Sequence, residues 1–263
     1  MTPITSAANP SYRAWLKLAL QPRQARIQQR TIAEGEHLVE ALLAAGHRLE
    51  CALVRSGAGA APRARAALLA QLVAARVPMV ELAAPLYDRL GLVEHGIGLA
   101  VVLALPPQAS TPLAGDALYL DGVQDPGNAG ALLRVAAGAG VRHVLASPGC
   151  AALWAPKVMR AAQGAHLQLD LREQVGVESL RASPLHWIGT VAAAAQSLWQ
   201  AHWPDAPVGW VIGAEGGGAS PEALAACAQQ VRIPLAPGVE SLNVAAAAAV
   251  CLFERARRRQ APG

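Results

Sequence analysis

Aromatic residues are scarce in this 263-residue chain: six Trp, three Tyr and one Phe, 4% of the total. So few rings exclude a binding surface built on extensive base stacking. Charge is also scarce, at 15% against 53% hydrophobic residues, so the chain can bury a core and is not intrinsically disordered. The four cysteines (Cys51, Cys150, Cys227 and Cys251) show no C-x-x-C pair and no metal-ligand spacing. This argues against a disulfide scaffold or a zinc site, so no metal is expected, and it suits a reducing cytoplasm. The strongest apolar run, Val244 to Phe253, falls far short of the roughly 20 residues that span a bilayer. The positive mean hydropathy of +0.28 reflects abundant alanine, not a membrane segment. The opening MTPITSAANPSYR has no apolar h-region, so no signal peptide is expected. Neither G-x-G-x-x-G nor a P-loop occurs, which removes the signatures of a nucleotide-dependent dehydrogenase or NTPase.

The charge that is present is uneven. Residues 1–110 hold 11 Lys/Arg against 7 Asp/Glu, whereas residues 111–263 hold 11 of each. The first 33 residues carry Arg13, Lys17, Arg23, Arg26 and Arg30 and no acid, and the chain closes on Arg255, Arg257, Arg258 and Arg259. Two basic clusters on an otherwise neutral protein suggest a polyanionic partner; solvated helix faces are the plain alternative.

Residues 105–115 (LPPQASTPLAG) separate two apolar runs and read as a linker between domains. Gly57 to Pro62 reads as a loop inside the first domain. That domain is mixed α/β. A helix capped by Asn9 or Ser11 runs to Leu20, and a second covers His37 to Ala45 and stops at Gly46. A third helix spans Arg63 to Ala75. Strands are expected at Leu49 to Val54, Val77 to Leu82 and Gly98 to Leu105. Beyond the linker, strands are expected at Ala117 to Leu120, Val141 to Ala146, Leu185 to Val191, Val208 to Ile212 and Gln230 to Ile233. They alternate with helices at Leu132 to Ala139, Pro156 to Gln163, from Ser220-Pro221 onward, and Leu242 to Arg257. Such alternation implies a parallel sheet with ligands at the carboxyl ends of its strands.

Three loops carry the chemistry. In DGVQDPGNAGALLR (Asp121 to Arg134) a strand gives way to a helix whose N–H groups can meet a polar ligand, with Asn128 near the cap and Arg134 further in. VIGAEGGGAS (Val211 to Ser220) has a glycine run that permits close backbone approach, with Glu215 its one acid. IPLAPGVESLNV (Ile233 to Val244) gathers Glu240, Ser241 and Asn243 beside Leu242, more polar groups than a helix cap requires. Each loop alone is also explained as a capped or flexible turn.

In this order the three loops resemble the motifs of the SpoU (TrmH-like) family of RNA 2′-O-ribose methyltransferases. Asn128 and Arg134 match invariant places of the first motif, GAEGGG the second, and IPLAPGVESLNVAAAAAVCLFE the third. APKVMRAAQGAHLQL (Ala155 to Leu169) is similar to the segment between motifs. The stretch beginning NPSYRAWLKLALQ is similar to the family's L30e-like substrate-binding domain. One departure is Ala137, where family members often carry an acid.

The resemblance implies an α/β fold: a small L30e-like domain over residues 1–105, a linker at 106–115, and a parallel-sheet SPOUT domain with a deep trefoil knot over 116–263. It implies S-adenosylmethionine (AdoMet) as cofactor, held by Gly213, Ile233 and Leu242, with Thr190, Glu215, Gly216 and Ser241 as further contacts. It implies Arg134, Asn128, Ser241 and Asn243 as catalytic residues. Arg134 is either the general base or, as its high pKa favours, a clamp on the neighbouring phosphate that stabilises the developing alkoxide. RNA would be placed by Arg13, Arg23, Arg26 and Arg30. The expected substrate is structured RNA, 23S rRNA before tRNA, and the expected assembly a homodimer. A non-catalytic RNA-binding or ribosome-assembly role on the same fold is the rival reading.

Overall fold

The computed structural model describes residues 3–57, 63–93 and 96–260. In chain order the elements are α1 (Pro10–Leu20), α2 (Gln24–Gln28), β1 (Arg30–Glu34), α3 (Glu36–Ala44), β2 (Leu49–Arg55), α4 (Arg63–Ala74), β3 (Met79–Leu82), α5 (Ala84–Asp88) and β4 (Leu99–Ala104). They continue with β5 (Ala117–Asp121), α6 (Pro126–Gly138), β6 (His143–Ala146), α7 (Pro156–Ala162), β7 (Asp170–Glu173), α8 (Glu178–Ala182), β8 (His186–Thr190), β9 (Val208–Gly213), α9 (Pro221–Ala225), β10 (Gln229–Val231) and α10 (Val244–Gln260). The chain divides into two compact units: residues 1–107 with 154–167, and residues 108–153 with 168–263. The division is not a single cut, because α7 and its flanks count with the first unit. Of the loop expected at Gly57 to Pro62, residues 58–62 lie outside the described residues.

The first unit is built on a mixed sheet ordered β1-β4-β2-β3, with β4 antiparallel to both β1 and β2 and β3 parallel to β2. Ile32, Leu53, Leu82 and Val102 are buried in its core with Tyr12 and Leu18 of α1. Asn9 caps α1 by accepting from the Tyr12 N–H, and Gly46 ends α3 at φ +70°, a conformation that suits glycine. Strand β1 was not expected from the sequence. RTIAE has no alternation because four of its five residues are buried, and Thr31 resolves its polarity by donating to the Trp154 carbonyl at 2.6 Å.

The second unit carries a six-stranded, fully parallel sheet in the order β10-β8-β9-β5-β6-β7. Its central strands are buried end to end, as strands covered on both faces must be. Tyr119, Trp187 and Val211 pack in one core cluster. The chain runs outward from β5 to β7, then crosses to β8 on the far side of β9. The carboxyl ends of β5, β8, β9 and β10 therefore open toward one rim around the point where strand order reverses, where parallel α/β sheets bind ligands.

Two expectations are corrected. Helix α6 begins at Pro126, six residues before the expected Leu132, because Asp125 is the N-cap and accepts from the Asn128 N–H at 2.7 Å. Asn128, expected near the cap, lies in the first turn, three residues beyond it. The C-terminal arginines are internally paired. Arg255 is buried against Asp116 at 3.3 Å and donates to the carbonyls of Pro204, Asp205 and Ala206. Arg258 pairs with Glu254 and covers the Trp203 ring at 4.2 Å, while Arg257 and Arg259 pair with Glu254 and Asp116. This cluster fastens α10 and is not a free polyanion surface.

Candidate active site

The first loop leaves β5 at Asp121. Its carboxylate accepts from the Ser220 N–H at 2.7 Å, joining the start of the first loop to the end of the second. Gly122 turns at φ +72° and donates its N–H to Ser147 Oγ at 2.9 Å. The second loop folds back on itself: Ala214 and Gly218 exchange both backbone hydrogen bonds. The turn needs glycine where the strands meet. A Cβ at Gly213 would sit 1.9 Å from both Gly218 C and Ala219 N. Gly216 and Gly218 take φ +80° and +68°. The third loop ends at Asn243, whose Oδ1 accepts from the N–H groups of Ala245 and Ala246 and so caps α10. Ser241 stays in the loop, and the helix begins at Val244.

The second and third loops and the end of β8 enclose a cavity of about 930 Å³. Thr190, Gly213, Glu215, Gly216, Ile233, Ser241 and Leu242, all expected as cofactor contacts, line it, as does Asn243. Ile212, Leu235 and Val244 add apolar wall, and Leu242 is 38% exposed on this open surface. Among the described residues, the lining contains two carboxylates, Glu215 and Glu240, and no lysine or arginine. Residues 191–193 also line the cavity. They were not anticipated, because backbone contributions leave no mark on residue type.

A side-chain relay ties all three loops together. Asn243 Nδ2 donates to Asn128 Oδ1 at 3.0 Å, and Asn128 Nδ2 donates to Glu215 Oε1. Each amide orientation is fixed by its neighbour. Asn128 and Arg134 themselves stand outside the cavity lining. Arg134 is exposed on α6, and among the described residues it has no hydrogen-bond or ion-pair partner. A guanidinium left free in this way can take an anion.

No thiol offers a nucleophile here. Burial pushes Cys227 and Cys251 up to about 12 and raises Cys150 as well. Cys251 instead lies 3.8 Å from Thr190 Oγ1, and Cys150 donates to the Leu120 carbonyl at the end of β5. Among the described residues, no group of three His, Cys, Asp or Glu could hold a metal ion, and no helix is long and apolar enough to cross a membrane.

The four arginines expected to meet RNA are all in the first unit. Arg13 and Arg23 are exposed, and Arg26 is half-buried. Arg30 is already paired, with Glu50 at 3.0 Å, so its charge is partly spent within the protein.

A model of the SpoU rRNA Methylase family matches residues 117–253. An uncharacterized tRNA/rRNA methyltransferase of Synechocystis is 32% identical over 267 residues, covering 98% of this chain and 94% of the relative. A 23S rRNA (guanosine-2′-O-)-methyltransferase of Burkholderia is 40% identical over 146 residues, which are 54% of this chain and 59% of that protein. Among solved structures, a TrmH-family putative RNA methyltransferase from Porphyromonas gingivalis matches with TM-score 0.80 and 30% identity over 96% of this chain and 99% of its own. An RNA 2′-O ribose methyltransferase matches with TM-score 0.79 and 29% identity over 98% of this chain and 99% of its own.

Proposed function

The chain belongs to the SpoU rRNA methylase family, and we propose that it uses AdoMet to methylate a ribose 2′-hydroxyl in structured RNA, with large-subunit ribosomal RNA as the substrate. The observation that carries this reading is the Asn243–Asn128–Glu215 relay at a glycine-rich cavity with apolar walls, two carboxylates and, among the described residues, no basic side chain. The fit to AdoMet is chemical. Ile212, Ile233 and Leu242 suit an adenine, the exposed turn at 215–217 offers main-chain groups to its edge, and Glu215 and Glu240 suit positive charge. When bound, AdoMet supplies an electrophilic methyl group on a sulfonium.

The remaining work falls to the chain's own side chains. A ribose hydroxyl is a weak nucleophile that must shed its proton as the new bond forms. Arg134, exposed and unpaired, clamps the phosphate beside the target ribose and stabilises the developing alkoxide, with two donors aimed as a fork. Asn128 and Asn243 hold the first and third loops in register, so that hydroxyl and cavity meet in one geometry. The Ser241 hydroxyl, on the cavity wall and without a partner among the described residues, is a further contact for substrate or cofactor.

Arg13, Arg23 and Arg26 place the RNA by phosphate contacts, with Arg30 a weaker contributor because of Glu50. The same reading includes an L30e-like first domain over 1–105, a linker over 106–115, and a knotted catalytic domain over 116–263. It also includes a homodimer and a cytoplasmic site of action. Its test is methyl transfer from AdoMet to ribosomal RNA by the full chain, with Arg134→Ala as control. Arg134→Ala is expected to bind AdoMet normally and to lose turnover. Near-normal methylation by that variant would overturn the assignment.

A further inference from the structure

A second cavity, of about 490 Å³, lies wholly within the first unit and plays no part in the site above. Its walls are Leu92, Val93, Gly91, Gly96 and Gly98, with Glu34, Tyr87 and the Arg55–Asp88 pair as its polar groups. Arg55 and Asp88 neutralise one another through two hydrogen bonds of 2.7 and 2.8 Å. Glu34 differs. It is 8% exposed, has no ion-pair partner among the described residues, and accepts a hydrogen bond from the Tyr87 hydroxyl at 3.0 Å. Burial lifts its carboxyl to about 7, against the downward pull of Tyr87 and Arg160. The backbone is shaped around this group: a Cβ at Gly96 would sit 2.0 Å from Glu34 Oε1. Behind Gly98, Arg65 is buried, with Nε and Nη1 unpartnered among the described residues. A Cβ at Gly98 would stand 3.4 Å from that Nη1.

We propose that this cavity binds an unpaired guanine base of the RNA substrate, its N1–H and N2–H edge meeting the Glu34 carboxylate. This rests on the RNA reading above and deepens it. A lone buried carboxylate beside apolar walls calls for a ligand that presents two adjacent N–H donors. Among flat ligands, a guanine edge and a guanidinium both do so. Arg160, which donates to the Leu92 carbonyl at 3.1 Å, and the buried Arg65 make the surroundings unfavourable for a second cation. The neutral ring is therefore favoured. The volume falls in the range of ordinary ligand sites and suits one base with its sugar. One pocketed base is also what a surface poor in aromatic side chains can offer in place of a stacking platform.

The test is binding of the full chain to oligouridine heptamers carrying one central guanosine, inosine or N1-methylguanosine. The guanosine heptamer is expected to bind at least tenfold more tightly than the other two. Glu34→Gln, which turns an N–H group toward the guanine donors, is expected to bind all three alike while folding and binding AdoMet as the parent does. Gly96→Ala, which sets a methyl on the carboxyl, is expected to act in the same direction. Equal binding of the three heptamers by the parent, or a guanosine preference that persists in Glu34→Gln, would overturn the proposal. So would tighter binding of an arginine peptide that Glu34→Gln abolishes. Methylation of ribosomal RNA is read in parallel: Glu34→Gln should raise the KM for RNA and leave kcat unchanged. Loss of all AdoMet-dependent labelling in the parent would fault the catalytic reading and leave the guanosine preference to stand or fall by itself.

Discussion

At the scale of single residues, Asn128 has two tasks that one amide can just satisfy: its oxygen accepts from Asn243 and its nitrogen donates to Glu215. Asn128→Ala removes both bonds and should lower kcat on the order of 10²-fold, with a smaller effect on AdoMet affinity. Asn128→Asp keeps the acceptor but sets a second carboxylate against Glu215, and should be no better. Single-turnover methylation with saturating AdoMet checks both. Arg134→Lys keeps the charge but loses the fork, so a severe loss of turnover is expected there as well. Glu34 governs a pH dependence of stability. Its carboxyl titrates near 7 in the folded protein against an ordinary value of 4.5, so the folded state binds the extra proton between those limits. Stability should therefore fall as pH rises from about 4.5 to about 7, by about 3 kcal/mol in the limit. Tyr87, Asp88 and Arg160 are the groups that face it. Chemical denaturation of the parent and Glu34→Gln across that window should give a slope in the first and a flatter line in the second.

At the scale of elements, legibility followed burial pattern and cap chemistry. Asn9, Gly46 and Ser220-Pro221 mark real helix boundaries because each satisfies a backbone group in a way that residue type reveals. The three loops were readable as motifs, and the residues expected to hold the cofactor do share one cavity. Strand β1 was not readable, since a run that is buried on nearly every residue loses its period of two, and neither was β7, which has only four residues. The start of α6 was misjudged because Gly127 and Gly130 disguise its first turn. The arginines that end α10 show the limit of counting charge. Four basic residues in a row of five suggest an external anion, but Asp116, 139 residues from Arg255 and 143 from Arg259, supplies an internal one. Arg255→Ala should leave the buried Asp116 with only the more exposed Arg259 as ion partner, and leave three carbonyls without their donor, at a cost of about 3–5 kcal/mol. Scanning calorimetry should show a Tm lower by roughly 10 °C, and a shift below about 2 °C would contradict a structural role for this pair.

At the scale of the whole molecule, the arginines proposed to place RNA and the groups proposed for catalysis lie in different units. Arg13, Arg23 and Arg26 belong to the first, whereas Arg134 and the cavity proposed for AdoMet belong to the second. Replacing Arg13 and Arg23 by alanine should weaken RNA binding and reduce the slope of log K against log salt by about two, while AdoMet affinity stays unchanged. Titrations at several salt concentrations separate that outcome from general loss of fold. The central claim is that one exposed guanidinium beside a non-basic cavity directs a methyl group onto a ribose oxygen. Its most direct measurement uses AdoMet labelled in the methyl group, ribosomal RNA, and alkaline hydrolysis of the product. A methylated 2′-oxygen cannot attack the neighbouring phosphodiester, so the label should appear in an alkali-resistant dinucleotide with the parent protein and be absent with Arg134→Ala. Label in alkali-released mononucleotides, or equal dinucleotide label from both proteins, would contradict it.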